Sequence, residues 1–152
     1  MKTITRNKKA FHDYDILKKY ESGIELFGTE VKSIRAGRIN LLDSYGINKR
    51  GEVYLKNLHI STFREGNQFN HEPYRERKLL LHKREVSDII AQMTQKKLTL
   101  IPLSVYFKNQ WCKIEVGICR GRKKYDKRNK IAEKEAEQRI KQLKRSRMKR
   151  GE

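Results

Sequence analysis

The sequence predicts a small closed β-barrel or another α+β fold, with flanking helices and basic extensions at both ends. Three observations predict it: several short segments with alternating apolar residues, two or three helical segments among them, and positive charge concentrated near the termini. The chain of 152 residues contains 37 Lys and Arg against 18 Asp and Glu, a formal net charge of +19. Such a surplus favours a polyanionic partner.

Two strands and a short helix are predicted for the N-terminal part of the domain. Phe11–Lys18 is predicted as a strand, Ser22-Gly23 as a turn, and Ile24–Phe27 as a second strand. The helix that follows is capped by Thr29 and stops at Gly37. Because it has only about two turns, tertiary packing must stabilise it.

A hairpin and an irregular segment come next. Leu42–Ile47 and Glu52–Ile60 are predicted strands, because Asn48–Gly51 between them has the composition of a hairpin turn. Residues 61–78 contain several helix and strand breakers and are predicted to be irregular.

The C-terminal part of the domain has the clearest periodicity. Lys83–Lys97 has the apolar spacing of an amphipathic helix. Ile101–Phe107 and Cys112–Ile118 alternate as two strands of a hairpin, each with one apolar face. Cys119 follows Cys112 by seven residues, or about 23 Å along a strand. These two thiols therefore cannot pair with each other, which fits a reducing cytosol.

The C-terminal tail is strongly basic. Residues 120–152 contain 15 basic and five acidic residues, and residues 120–130 contain seven Lys and Arg around Tyr125. Such residues neutralise phosphates, and an aromatic ring among them can stack on a base; the alternative is a solvated run of charge. Residues 126–149 are good helix formers with a thin apolar stripe. We therefore expect them to be disordered alone and helical on a polyanion.

The sequence contains no motif for several classes of function. The histidines and cysteines have no metal-site spacing, and no nucleotide-binding or nucleophile motif occurs. We therefore predict no catalytic residue, no metal and no cofactor. No apolar run is long enough to span a bilayer and no secretory signal is present, so a cytoplasmic protein without a membrane partner is expected.

Two segments contain side chains that interrupt the expected core pattern. In residues 28–45 these are Glu30, Arg35 and Asp43, for which surface salt bridges are the simplest explanation. In residues 70–85, Leu80 should face away from the leucines on either side. Leu80 could pack on nucleotide bases or in a second core, and the pattern leaves both open.

These segments carry a family resemblance. The chain resembles the bacterial SsrA-binding proteins, also called small protein B, which are partners of transfer-messenger RNA (SsrA RNA). The resemblance runs from about Asn7 to Arg128 and rests on five blocks in one order: AFHDYDI (10–16), ESGIELFGTEVKSIRAGRINLLDSY (21–45), NHEPYRERKLLLHKRE (70–85), PLSVYFKNQWCKIEVG (102–117) and GRKKYDKR (121–128).

The resemblance implies a fold and a division of the chain. It implies a β-barrel with flanking helices, similar to the oligonucleotide-binding (OB) fold. Residues 1–9 would form a basic arm, residues 10–120 the RNA-binding barrel, and residues 121–152 a tail that is disordered when free and helical on the ribosome. The chain is expected to be monomeric and not to be an enzyme.

The resemblance also implies the partners. The barrel would bind the tRNA-like domain of transfer-messenger RNA and stand in the place of an anticodon stem. On a stalled ribosome the tail would lie at the decoding centre and in the empty messenger channel, enabling trans-translation, in which the stalled peptide is tagged and released. Elongation factor Tu with GTP would arrive through the RNA.

Individual residues follow from their positions in the matching blocks. The resemblance assigns Glu21, Leu80 and His82 to the RNA-binding surface, supported by Arg35, Lys8 and Lys9. It assigns to the ribosome-engaging tail the residues Gly121, Arg122, Lys123, Lys124, Tyr125, Asp126, Lys127 and Arg128. The chain departs from the usual family pattern at Ser22, Thr62 and His82.

Two other classes of protein would show some of the same sequence features. A ribosomal protein or ribosome assembly factor would have the same charge and the same basic tail. An RNA-cleaving enzyme could use His12 or His82 together with a lysine.

Overall fold

The computed structural model describes residues 1–63, 70–121 and 138–142, and Met1–Gly121 forms one compact unit. The described residues of this unit form three helices and nine strands. The helices are α1 (Lys8–Asp13), α2 (Gly28–Arg35) and α3 (Lys83–Gln95). The strands are β1 (Lys2–Arg6), β2 (Tyr14–Ile24), β3 (Ile39–Asn40), β4 (Tyr45–Lys49), β5 (Glu52–Lys56), β6 (His59–Ile60), β7 (Arg77–Leu80), β8 (Thr99–Lys108) and β9 (Trp111–Gly121).

Seven of the strands form one antiparallel sheet in the order β1-β8-β9-β2-β7-β5-β4, and β3 pairs with β6. The sheet is curled, so that β4 at one end packs against β8 near the other end. A Cβ atom on Gly46 of β4 would lie only 2.6 Å from the Leu100 side chain of β8. Glycine at this position therefore permits a close approach of the two strands.

The elements with strong local periodicity are where the sequence predicts them. α2 and α3 match the two predicted helices, and β8 and β9 form the predicted hairpin. The turn between these strands contains Asn109 with a left-handed φ of 58°, a conformation that asparagine tolerates. Both cysteines lie on β9 and are free, as predicted.

The N-terminal elements differ from the prediction. The predicted strand Phe11–Lys18 begins only at Tyr14, because residues 11–13 end α1, whose start is fixed by the hydrogen bond from the Ala10 N–H to the Asn7 side chain and by the burial of Ala10. The predicted turn at Ser22-Gly23 is wrong: β2 continues through it to Ile24, since it pairs with β9 as far as Gly23. Residues 2–6, which we placed in a basic arm, pair with β8 as β1.

The central strands also differ from the prediction. The first strand of the predicted hairpin lies further along the chain, at Tyr45–Lys49. The predicted strand Glu52–Ile60 is interrupted at Asn57, where φ is +60°, and its end forms the separate strand β6. The segment predicted to be irregular contributes Arg77–Leu80 as β7, between β2 and β5 in the sheet.

One apolar face of the predicted hairpin is divided between two cores. On β9, Ile114 and the residues that share its face pack in the main core, as predicted. On β8, however, Val105 and Phe107 belong to the main core, whereas Ile101 and Leu103 pack in a second core beneath α1. The pairing register shifts in the middle of β8, and a shift of one residue moves the following side chains to the other face.

A buried ion pair joins α2 to β7. Glu30 and Arg77 are both completely buried, and the Arg77 Nε–H donates to the Glu30 carboxylate. Arg75 donates to the same carboxylate at 2.6 Å, and the Phe27 N–H does so at 2.8 Å. The expectation of surface salt bridges was therefore wrong for Glu30, since the interaction is not on the surface.

The ion pair is charged at neutral pH. Burial alone would raise the pKa of Glu30, but the hydrogen bonds from Arg75, the Phe27 N–H and Arg77 hold that pKa below its usual value. A carboxyl group with a depressed folded-state pKa stabilises the fold above the unfolded-state pKa. This contribution is lost as pH falls through the folded-state value.

The Arg77 guanidinium also binds the loop that precedes β7. Its nitrogens donate to the carbonyl oxygens of Leu58 at 2.7 Å and Arg75 at 2.9 Å, and to those of Glu72 and Pro73 at longer range. A single side chain therefore satisfies backbone acceptors from two segments. It fixes where β7 begins.

We expect Arg77→Met to lower the free energy of unfolding by about 3–5 kcal/mol, because the substitution removes the fully buried cation paired with the Glu30 carboxylate and the donor to the Leu58 carbonyl oxygen. Urea denaturation at neutral pH measures the change. The neighbouring substitution Lys78→Met is the control and should change stability by less than about 0.5 kcal/mol, since this side chain is partly exposed. Equal stability of the two variants would contradict the role of Arg77.

Candidate nucleic-acid interface

Glu21 and Leu80, which lie far apart in the sequence, share one face of the sheet. Tyr20 and Ile24 of β2 point into the main core, so Glu21 and Gly23 point away from it. Gly23 is paired with Leu80 of β7 and with Lys113 of β9. We call this surface the outer face and define it by Glu21, Gly23, Leu80, Tyr106 and Lys113.

Leu80 is held on the outer face by the chain on both sides of it. Leu79 is 1% exposed in the core, whereas Leu80 is 54% exposed, which confirms that Leu80 faces away from its neighbour. Its side chain lies over Gly23, where an added Cβ would come within 3.2 Å of the Leu80 Cβ. The glycine therefore provides the space in which an exposed leucine lies flat on the sheet.

Glu21 is an ionised hydrogen-bond acceptor on this face. The Tyr106 hydroxyl donates to its carboxylate at 2.6 Å, and the Lys108 Nζ lies 3.6 Å away. The Tyr106 hydrogen bond is the main reason that the pKa of Glu21 lies below its usual value, and Lys108 and Lys113 lower it further. Burial and Glu21 together raise the pKa of Tyr106, so its hydroxyl keeps its proton.

His82 lies beside Leu80, directly before α3. It is the N-cap residue of this helix, and its backbone N–H donates to the Glu85 carboxylate at 3.2 Å. The His82 side chain is exposed, and it lines a shallow groove of about 600 Å³ together with Leu80 and Lys83. The structure thus brings Leu80 and His82 together next to the strand that carries Glu21.

The other three residues predicted to support RNA binding lie elsewhere. Arg35 ends α2, and its guanidinium lies 4.8 Å from the centre of the Phe107 ring, on the core side of β8. Lys8 and Lys9 are exposed on α1, where the Lys9 Nζ is 3.9 Å from the Asp43 carboxylate. The structure does not bring these cations to the outer face.

Most of the predicted tail lies outside the described residues. Gly121 is described: it ends β9, where it is paired with Tyr14 of β2. The predicted residues outside the described part are Arg122, Lys123, Lys124, Tyr125, Asp126, Lys127 and Arg128. Residues 138–142 are α-helical and exposed.

The described residues add no sign of a metal site. Across residues 1–63, 70–121 and 138–142, no group of three or more His, Cys, Asp or Glu side chains could hold a metal ion. In the same part of the chain, no helix is long and apolar enough to cross a membrane.

Sequence reasoning missed two features of the outer face. Gly23 was predicted in a turn, although its function is to make room for Leu80. Tyr106 was overlooked as the donor that orients Glu21, which precedes it by 85 residues. Its outward position follows from the predicted alternation of β8, but its contact with Glu21 depends on the order of β8, β9 and β2 in the sheet.

The chain is similar to SsrA-binding proteins along almost its whole length. The model of the SmpB protein family matches residues 4–146. The SsrA-binding protein of Carboxydothermus hydrogenoformans is 53% identical over 96% of this chain and 98% of its own. That of Geobacillus thermodenitrificans is 50% identical over 97% of this chain and 96% of its own.

A solved structure also resembles the chain. It is described as "tmRNA-SmpB: a journey to the center of the bacterial ribosome", and one of its chains is 44% identical with a TM-score of 0.68. The match covers 81% of this chain and 86% of the other. The mixed α+β architecture with a mostly antiparallel sheet is therefore shared with that protein.

We expect Tyr106→Phe to raise the pKa of Glu21 toward its usual value, because the substitution removes the hydrogen bond that lowers it most. An NMR titration of the Glu21 side-chain carboxyl carbon measures the shift. Tyr45→Phe, which removes a hydroxyl elsewhere, should leave the Glu21 titration unchanged. An unaltered Glu21 pKa in Tyr106→Phe would show that the neighbouring lysines alone hold this carboxylate ionised.

Proposed function

The chain belongs to the SmpB protein family, and we propose that it binds the tRNA-like domain of transfer-messenger RNA and acts in trans-translation on the ribosome. The observation that carries this proposal is its identity of about half over nearly the full length of relatives named SsrA-binding proteins. The similar solved chain comes from a structure that names tmRNA, SmpB and the bacterial ribosome. The comparisons give no support to a ribosomal protein or an assembly factor.

The outer face supplies the chemistry for recognising a folded RNA. Leu80 offers an exposed apolar surface that can pack on an unstacked base. The Glu21 carboxylate can accept hydrogen bonds from base amino groups or ribose hydroxyls. His82 adds an exposed ring beside Leu80. These three side chains therefore form the centre of the proposed RNA-binding surface.

The three cations that are predicted to support RNA binding lie outside this centre. Arg35, Lys8 and Lys9 lie on α2 and α1 and so contribute positive charge from other parts of the body. Charge of this kind attracts phosphates without reading a particular base. Their role in the proposal is to increase affinity for RNA rather than to select the RNA.

We further propose that the body is a barrel similar to the OB fold. The curled antiparallel sheet and the close approach of Gly46 to Leu100 support this assignment. In this scheme residues 10–120 are the barrel and residues 121–152 the tail. Because β1 is paired with β8, residues 2–6 of the proposed arm would lie against the barrel.

The tail is proposed to engage the ribosome. Its charge suits ribosomal RNA, and residues 121–128 would lie at the decoding centre, with Tyr125 available to stack on a base. Residues 138–142 are helical in the free chain, and the proposal is that the tail as a whole becomes helical only in the messenger channel. The protein would act as a monomer in the cytoplasm, without catalysis or cofactor, and would meet elongation factor Tu with GTP through the RNA.

We expect Leu80→Ser to weaken binding of the tRNA-like domain by roughly tenfold, because burying an exposed leucine side chain contributes about 1.5–3 kcal/mol. Isothermal titration calorimetry at physiological salt measures the affinity. Leu17→Ser is the matched control, since Leu17 is also about half exposed on β2 but lies six residues, or about 20 Å, along the strand from Gly23, the pairing partner of Leu80. Equal affinities of the two variants would remove Leu80 from the proposed surface.

We expect a chain truncated after Gly121 to bind the tRNA-like domain nearly as tightly as the full chain but to support no peptide tagging on stalled ribosomes. The described body holds the proposed RNA surface, whereas the removed residues carry the charge proposed for the ribosome. RNA binding and a reconstituted tagging reaction are measured in parallel. Loss of RNA binding on truncation would contradict this division of labour.

A further inference from the structure

Trp111 is an exposed aromatic side chain with no role in the function proposed above. It is the only tryptophan of the chain, and it is 73% exposed at the start of β9. We propose that the Trp111 ring stacks on a base of the same RNA that contacts Leu80, so that the RNA-binding surface extends to the tip of the β8–β9 hairpin. This inference rests on the proposed RNA-binding function and adds a residue and a contact to it.

Strand alternation places Trp111 on the outer face. Cys112 and Ile114 of β9 pack toward the main core, so Trp111 and Lys113 point to the opposite side. Lys113 is paired with Gly23, which is in turn paired with Leu80. The surface that bears Leu80 therefore continues across the sheet to β9 without a change of face.

The distances suit a single bound RNA. Leu80 and Lys113 lie two strand spacings apart, or about 10 Å, and Trp111 lies two residues further along β9, or about 7 Å. The backbone positions of Trp111 and Leu80 are therefore about 12 Å apart. One folded RNA can place two unstacked bases at such a separation, one on each side chain.

The surroundings of the ring favour a nucleobase over a protein partner. Lys108 is paired with Trp111, and Lys113 is its next neighbour on the same face. An aromatic ring between lysines can stack on a base while the ammonium groups contact the adjoining phosphates. Protein docking sites instead offer a contiguous apolar patch, and the turn next to Trp111 consists of the polar residues Asn109 and Gln110.

The test uses the intrinsic fluorescence of the full chain. Because Trp111 is the only tryptophan, all tryptophan emission reports on this ring. Titration with the tRNA-like domain of transfer-messenger RNA should quench the emission. At saturation, access of acrylamide to the ring should fall, since a stacked base covers it.

Affinity measurements on variants provide the second readout. Trp111→Ala should weaken binding of the tRNA-like domain about five- to 150-fold, the range expected for the loss of one base stack, whereas Trp111→Phe should retain most of the affinity. Tyr74→Ala is the control, because Tyr74 is 57% exposed but its ring lies against His59, tilted by 58°, and not on β9. Circular dichroism confirms that each variant is folded.

The outcomes separate this inference from the function on which it rests. Tight RNA binding by the wild type with unchanged tryptophan emission, and equal affinity of Trp111→Ala, would overturn the stacking contact and leave the proposed function intact. Loss of ribosome association by Trp111→Ala at unchanged RNA affinity would also overturn it, by assigning the ring to a different partner. Failure of the wild type to bind the RNA would overturn both.

Discussion

The buried ion pair between Glu30 and Arg77 is the constraint on which the proposed site depends. Two charges in the interior are tolerable only because each is extensively hydrogen bonded, and removing either partner breaks the contact between the two fully buried charges. Arg77 is the first residue of β7, and Leu80 is the last. The same interaction that fixes α2 against the sheet therefore determines where Leu80 emerges on the outer face.

An acidic residue is an unexpected component of the proposed RNA-binding surface in a chain with a net charge of +19. The structure gives the physical reason that Glu21 can serve there. A hydrogen bond from Tyr106 and the nearby Lys108 stabilise its ionised form and orient it. The carboxylate is thus a directed acceptor among cations, and in the proposed function it would select among RNA contacts while the positive charge elsewhere provides attraction.

The sequence predicted those features that depend on local pattern. The periodicity of α3, the β8–β9 hairpin and the outward position of Leu80 all follow from residues close together in the chain. The features that were missed depend on distant partners. Glu30 is buried because Arg77 reaches it from 47 residues away, and β2 runs through Gly23 because β9 pairs with it there.

The candidate site was likewise predicted only in part from the sequence. The family resemblance supplied Glu21, Leu80 and His82, and the fold placed them side by side, but it placed Arg35, Lys8 and Lys9 on other surfaces. No sequence pattern indicated that Gly23 makes room for Leu80, because that depends on the pairing of β2 with β7. The predicted tail residues 122–128 lie outside the described residues, so their roles stay predictions.

The most direct test of the account is an amide chemical-shift map of the full chain titrated with the tRNA-like domain of transfer-messenger RNA. We expect the largest changes at the adjoining outer-face positions Glu21, Gly23 and Leu80 and at His82, with small changes on α1. Changes concentrated on α1 and α2, with β2 and β7 unaffected, would contradict the claim that the outer face binds the RNA.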